Sequence, residues 1–317
     1  MKYKVADFHC DALSKMQLDS TLFFDKEKDL DVTLQRMQQG GVALQTFAIF
    51  VSQRLGKPGF SHILDQIDIF QHKVVSTGVV PITSVDELEH ALESGKPGGI
   101  LSIEGADGLE GNLYHLRTCF ERGVRFLGIT WNYENWAADG ILEARNGGLT
   151  PAGRELVKTC YELGITLDVS HLSEKGFWDL VELASEAHKP FIASHSNVYS
   201  ICPNIRNLRE HQIQAIINLS GVIGITFVPW FVKDMESVSS YDLLPHIERI
   251  CELGGQKHLM FGSDFDGIES HLTDLKHSGH YDGWVNTLLL HYPEDLVTGW
   301  LSSNAISFLR NCLPKNK

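Results

Sequence analysis

Eight short β-rich runs alternate with longer helical segments along this chain, and no linker separates any two of them. Strands that alternate with helices form parallel sheets, because a crossover must return the chain to the start of the next strand. Eight such units in 317 residues favour an α/β fold with a single (β/α)8 barrel domain over 1–317, rather than an open doubly wound sheet. The predicted strands are 4–9, 43–50, 99–105, 125–130, 165–171, 191–196, 222–227 and 258–264.

The segments between the strands carry helix signals. In the segment 150–164, Thr150 is a predicted N-cap, Pro151 occupies the first helical position and Gly164 follows the last turn. Two other segments, 131–150 and 228–240, are instead predicted to be long loops after strands four and seven. Loops of this length on one face of a barrel are typical of covers over a substrate.

Charge and composition exclude several classes of partner. A formal net charge of −13 argues against nucleic-acid binding, since phosphate would repel the chain. No run of about 18 apolar residues indicates a membrane span, and the first residues lack a secretory signal. The six cysteines are scattered without a C-x-x-C pair, which is typical of reduced thiols. We therefore expect a cytoplasmic protein with no membrane or nucleic-acid partner.

Polar residues recur where the predicted strands end. In a (β/α)8 barrel these ends meet at one mouth, which is where the chemistry of such folds takes place. Imidazole and carboxylate ligands suit zinc, and they also suit manganese, iron or cobalt. The residues are His9 and Asp11 after strand one, Glu104 after strand three, His171 after strand five, His195 after strand six and Asp264 after strand eight.

The ligand set is larger than one metal needs. A single catalytic zinc takes three protein ligands and a water, so the surplus indicates two metals that share a carboxylate and a water-derived hydroxide. Such a pair hydrolyses amides and esters, and it leaves Asp264 free to move a proton. Beside these residues, Asp7 is predicted to hydrogen-bond a ligand from below, and Cys10 to pack on the opposite face.

Six motifs carry a family resemblance over residues 4–310: "DFHCD", "SIEGADG", "VSHLS", "ASHSN", "IRN" and "GSDFDG". In order and spacing they resemble the renal (membrane) dipeptidase family, a branch of the amidohydrolase superfamily. The resemblance implies a dipeptidase on a (β/α)8 barrel with two zinc ions. It assigns His9 and Asp11 to one zinc, His171 and His195 to the other, and Glu104 to a bridge between them.

The resemblance also implies roles for two residues outside that ligand set. Asp264 would take a proton from the bridging hydroxide and pass it to the leaving amine, and Arg206 would hold the terminal carboxylate of the dipeptide. The other interpretation of Arg206 is a surface residue at a helix start. Acceptance of a D-residue at the C-terminal position and a homodimer are further expectations from the family.

Two positions depart from the family pattern. Trp131 stands where better-studied members have a histidine near the substrate carbonyl, so Asn132 and Asn135 become candidates for that role by proximity. Trp131 is predicted to contact substrate, with a packed loop core as the alternative. Asp107 replaces a second family histidine.

Two other functions stay open. One is a different amidohydrolase reaction, such as hydrolysis of an N-acyl amino acid, a lactone or an ester. The other is metal binding without catalysis.

Overall fold

The computed structural model describes residues 3–26 and 30–315, and the strands in those ranges form one parallel sheet. Pairing runs from β2 through β1, β9, β8, β7, β6 and β5 to β4, and β4 pairs with β2, which closes an eight-stranded barrel. The strands are β1 Val5–Cys10, β2 Val42–Phe50, β3 Val80–Pro81, β4 Gly98–Glu104, β5 Val124–Gly128, β6 Thr166–Asp168, β7 Ile192–Ala193, β8 Val222–Ile225 and β9 Leu259–Phe261.

Apolar side chains fill both sides of the barrel wall. Phe8 of β1 stacks on Phe126 of β5 at 5.8 Å between ring centroids. Because β1 and β5 are not neighbours in the sheet, this contact crosses the interior. On the outside, Phe261 of β9 packs against Trp284 of a surrounding helix. A strand buried on both faces reads as a continuous apolar run, which is why the strands stood out in the sequence.

The α-helices of the described residues surround the barrel. The predicted helix over 150–164 is confirmed, with Thr150 accepting from the Gly153 amide and Gly164 in the left-handed conformation. Within the described ranges no helix is both long enough and apolar enough to cross a bilayer. The helices are α1 Ala12–Leu18, α2 Leu34–Gln39, α3 Phe60–Ile69, α4 Val85–Ser94, α5 Leu113–Glu121, α6 Pro151–Leu163, α7 Glu174–Ala187, α8 Glu210–Asn218, α9 Pro229–Val232, α10 Leu244–Glu252, α11 Tyr281–His291, α12 Glu294–Thr298 and α13 Asn304–Cys312.

Three details differ from the sequence prediction. The two-residue strand β3 pairs with the start of β4 and was too short to show a pattern. The predicted loop 228–240 contains α9, which begins at a proline. Finally β6, β7 and β9 end three, two and three residues before His171, His195 and Asp264, so these residues lie on turns beyond the strands.

Candidate metal centre

The predicted ligands converge at the carboxyl end of the barrel. His9 lies near the end of β1, and Asp11 is the N-cap residue of α1. Glu104 is the last residue of β4, and His171 and His195 follow β6 and β7. Since parallel strands all end at the same rim, side chains far apart in sequence meet here.

Glu104 lies between two groups of ligands. Its Oε2 is 3.4 Å from Nε2 of His9, whereas its Oε1 is 2.9 Å from Nε2 of His171 and 3.9 Å from Nε2 of His195. One carboxylate oxygen therefore faces each predicted metal subsite. This is the arrangement that a bridging ligand requires.

The first subsite gathers His9 with two carboxylates. Nε2 of His9 is 3.4 Å from Oδ2 of Asp11 and 3.7 Å from Oδ1 of Asp264. Gly267 makes room for both acids, because a Cβ at this position would stand 2.3 Å from the Asp11 carboxylate and 2.6 Å from that of Asp264. A side chain at residue 267 would therefore displace at least one of the two acids from its position beside His9.

The second subsite pairs two imidazoles. Nε2 of His171 lies 2.8 Å from Nε2 of His195. At the other ring nitrogen, His171 contacts Oδ1 of Asn132 at 2.7 Å and His195 contacts Oγ of Ser194 at 2.8 Å. Second partners of this kind orient the ring of a metal-ligating histidine.

The backbone is strained where it presents these groups. His171, Asp264 and Asp266 have φ of 70°, 66° and 68°, in the left-handed region that residues other than glycine rarely adopt. Such conformations persist only where the surrounding structure holds them, and they cluster at functional sites.

Burial and charge set the protonation of the cluster. Burial tends to raise the pKa of Glu104, but the charges and hydrogen bonds of His9 and His171 hold it well below its usual range. Burial lowers the pKa of His171 to about 4 and that of His195 well below its usual range. An ionised carboxylate and neutral imidazoles are the forms that bind metals.

His9 and Asp264 are shifted the other way. Burial tends to lower the pKa of His9, but the charges of Glu104 and Asp11 raise it well above its usual range. Burial raises the pKa of Asp264 well above that of a free carboxyl. The neighbouring acids Asp11 and Glu104 therefore raise the pKa of His9, and they add to the effect of burial on the pKa of Asp264.

The donor set fits a divalent metal. Nε2 of His9 and Oδ1 of Asp11 are buried without a hydrogen-bond partner among residues 3–26 and 30–315, although buried polar atoms nearly always have one. Each belongs to a cluster of nitrogen and carboxylate-oxygen donors that lie within 4.8 Å of one another. Atoms orphaned in this way are satisfied when a cation binds between them.

A cavity of about 280 Å³ opens beside Glu104 and His171. Trp131 lines it together with Phe50, and the two ring centroids are 5.2 Å apart. The structure therefore places Trp131 on the wall of the cavity and also in contact with an aromatic neighbour, so the two predicted roles are compatible.

Arg206 is buried, with 7% of its surface exposed, so its interpretation as a surface helix-start residue is wrong. Its guanidinium lies over the ring of Phe231 at 5.3 Å, and its Nε and Nη2 have no hydrogen-bond partner in the part of the chain that the structure describes. Burial lowers the pKa of Arg206 to about 10, against the opposing charges of Asp264 and Glu104. It does not line the 280 Å³ cavity.

Asn132 and Asn135 are the candidates for contacting the substrate carbonyl in place of the family histidine, and both already have hydrogen-bond partners. Asn132 contacts His171, and Asn135 donates to Asp107 at 3.1 Å and to the carbonyl of Ile129 at 2.8 Å. Neither asparagine lines the cavity. Both of these hydrogen bonds of Asn135 are made to other residues of the protein, and its role toward a substrate stays a prediction.

Asp7 and Cys10 lie on β1 beside His9. Asp7 does hydrogen-bond a predicted ligand, but through the backbone: its Oδ1 accepts from the amides of His9 at 3.3 Å and Ser263 at 2.9 Å. Cys10 is buried, as expected for packing. The six cysteines are all free thiols.

The pair Asp168 and Ser194 was missed, although Ser194 directly contacts His195. The available signal was a charged residue inside the apolar run 165–169. A charged residue in an apolar run does not indicate which neighbouring strand the carboxylate of Asp168 contacts.

Comparisons with known proteins agree with this geometry. The model of the family described as membrane dipeptidase, peptidase family M19, matches residues 1–313. The chain belongs to the membrane dipeptidase family. Membership places it among the metal-dependent dipeptidases.

Relatives of this family member extend the comparison. Dipeptidase tcpJ of Claviceps purpurea is 29% identical over 282 residues, which covers 84% of this chain and 66% of that protein. The crystal structure of dipeptidase AC, a metallopeptidase, matches with a TM-score of 0.90 at 25% identity over 99% of both chains. A Rhodobacter sphaeroides metallopeptidase, solved with a phosphinate mimic of L-Ala-D-Ala, matches with a TM-score of 0.89 at 24% identity over 98% of this chain and 99% of that one. The predicted (β/α)8 barrel is confirmed.

Proposed function

We propose that this chain hydrolyses dipeptides at a centre of two divalent metals, with zinc as the first candidate. The observation that carries the proposal is the position of Glu104, whose two oxygens face His9 on one side and His171 on the other. His9 and Asp11 would hold one metal, and His171 and His195 the other. Bound there, two cations would activate a water molecule and polarise the scissile carbonyl.

The residues around the centre would orient the substrate. Arg206 offers two unpartnered guanidinium nitrogens in a buried setting, which suits a bidentate grip on the free carboxylate of a dipeptide. The ring of Phe231 contacts the guanidinium at 5.3 Å and would help to position it. On the open side, Trp131 and Phe50 form an apolar wall that would contact a substrate side chain.

Asp264 would carry the proton. Its carboxylate reaches the cluster from the turn after β9, and its Oδ1 lies 3.7 Å from Nε2 of His9. Burial raises the pKa of Asp264, a direction that favours accepting a proton, and the carboxyl would return that proton to the leaving amine.

The test is a hydrolysis screen on protein reconstituted with zinc, and separately with manganese and cobalt. The substrates are L-L and L-D dipeptides, N-acyl amino acids, lactones and esters. We expect dipeptides to be hydrolysed fastest and two metals to be bound per chain.

Two results would contradict the proposal. Faster turnover of N-acyl amino acids or lactones would assign another amidohydrolase reaction. Two bound metals with no hydrolysis of any substrate would indicate a metal-binding protein without catalysis. A single domain, a cytoplasmic location, a homodimer and the acceptance of D-residues stay predictions.

A further inference from the structure

The two imidazoles of the second subsite are held at Nδ1 by different partners. His171 faces Oδ1 of Asn132, and an amide oxygen can only accept, so this contact requires a donor at Nδ1 of His171. His195 faces the hydroxyl of Ser194 at 2.8 Å. A hydroxyl can donate or accept, so Ser194 alone does not decide where His195 carries its proton.

Asp168 decides it. Ser194 donates its hydroxyl hydrogen to Oδ2 of Asp168, a carboxylate oxygen. The other oxygen within its reach, Oγ of Ser170, is 3.4 Å away. A serine has one hydroxyl hydrogen, so Oγ of Ser194 is left as an acceptor toward His195. Nδ1 of His195 is then the protonated nitrogen, and Nε2 turns its lone pair toward the cluster.

We call the hydrogen-bonded chain from Asp168 through Ser194 to His195 the relay. Backbone amides hold the carboxylate of Asp168 in position. Oδ1 of Asp168 accepts from the backbone amides of Ser170 at 3.0 Å and Ser194 at 2.9 Å. All three residues are buried. The chain also packs tightly on this turn, since a Cβ at Gly262 would stand 1.8 Å from the carbonyl oxygen of Ser194. The two backbone amides therefore fix the carboxylate of Asp168 beside the hydroxyl of Ser194.

We propose that Asp168, acting through Ser194, is the positioning residue that keeps His195 in its Nδ1-protonated form and presents Nε2 to a metal. This inference rests on the proposed metal centre. A ligand locked in the binding tautomer needs no rearrangement when the metal arrives, and a carboxylate behind the donor makes the ring a stronger ligand.

In the relay His195 donates to Ser194 and Ser194 donates to Asp168, and D168N should reverse both hydrogen bonds. In that variant the two backbone amides hold the amide oxygen at the Oδ1 position, so the NH₂ group faces Ser194. Ser194 then accepts from residue 168 and donates to Nδ1 of His195, which moves the ring proton to Nε2. The substitution S194A only removes the partner. The matched control is S196A, because Ser196 is buried nearby and its hydroxyl contacts Ser170 at 3.4 Å.

The experiment measures zinc affinity by chelator competition and, in the metal-free protein, the ¹⁵N shifts of the His195 ring. We expect S194A to lose roughly 10- to 100-fold in affinity. D168N should lose more than S194A, and S196A should match the wild type. The wild-type His195 should carry its proton on Nδ1, and in D168N the proton should move to Nε2.

Either of two results overturns the relay: D168N that binds zinc at least as tightly as S194A, or a wild-type His195 protonated on Nε2. Thermal unfolding of the metal-free variants identifies any variant that fails to fold. If D168N fails to fold, the tautomer of wild-type His195 and the zinc affinity of S194A test the relay instead. A wild type that binds no divalent metal overturns the proposed metal centre together with this inference. Two bound metals in the wild type, together with a zinc affinity that D168N leaves unchanged, overturn the relay alone.

Discussion

Nε2 of His171 lies 2.8 Å from Nε2 of His195, and Glu104 faces both nitrogens. Two ring nitrogens at this separation are mutually stabilised only when a proton or a cation lies between them. Zinc should therefore raise the melting temperature by several degrees, since a metal at 100 times its Kd adds about 2.7 kcal/mol per site. Calorimetry with and without metal measures the shift.

Two histidine variants make this metal-binding test specific. H171A should lose most of the zinc-dependent shift. H211A should keep it, because the His211 side chain is 55% exposed and lies outside the cluster. An equal shift in both variants would mean that zinc binds elsewhere.

Asp264→Asn should retain both metals and lose turnover by roughly 10²- to 10⁴-fold, the usual contribution of a positioned acid or base. Asparagine tolerates the left-handed backbone at this position, where φ is 66°, so the variant should fold. Metal content and kcat are measured on the same preparation. Loss of a metal would make Asp264 a ligand, and unchanged kcat would remove it from catalysis.

Arg206→Ala should weaken kcat/KM for dipeptides with a free carboxylate by roughly 10- to 100-fold, in line with the loss of a charge-assisted hydrogen bond. The matched control is R209A, since Arg209 lies on the same loop but stacks on Tyr199 with 41% of its side chain exposed. Dipeptides with an amidated C-terminus should show little effect of R206A. Equal losses on free and amidated substrates would count against carboxylate binding.

Gly267→Ala should separate the two acids of the first subsite. Its Cβ would stand 2.3 Å from the Asp11 carboxylate, so Asp11 or Asp264 has to move. We expect weaker metal binding and a large loss of kcat. G283A serves as the control, because a Cβ at Gly283 meets no atom within 4 Å. Wild-type metal affinity in G267A would show that the carboxylates adjust freely.

Acid should destabilise the fold through His246. This ring is buried, accepts from the Val198 amide and contacts the Val232 carbonyl, and burial lowers its pKa from 6.5 to about 4. Between these values only the unfolded chain binds the proton. The contribution of His246 to the free energy of unfolding is therefore fully present above pH 6.5. It falls by up to about 3 kcal/mol as the pH drops toward 4.

Denaturant unfolding of metal-free protein at pH 7.5 and pH 4.5 measures this loss. H246N cannot take up that proton, so its stability should fall less over the same interval than that of the wild type. Parallel losses in the two proteins would exclude His246 as the source.

Much of the centre could be predicted from the chain because each ligand follows an apolar run. His195 after 191–194 is an example, since the end of a parallel strand is enough to place it at the barrel mouth. The partners of the ligands could not be predicted. Asn132 meets His171, and Asp168 meets Ser194, only after neighbouring strands pair, and no local pattern encodes that pairing. The two-residue strand β3 was missed because it has no periodicity.

Barrel closure also determines when the centre can exist. His9 is carried by the first strand and Asp264 by the turn after the last, and the two meet only because β1 pairs with β9. Contacts so distant in sequence form late in folding, because a long loop must first be closed. During synthesis the first ligand leaves the ribosome long before its partner is made. A nascent chain that ends before Asp264 therefore has no complete binding pocket, so loading of the complete site has to follow synthesis of the turn after β9.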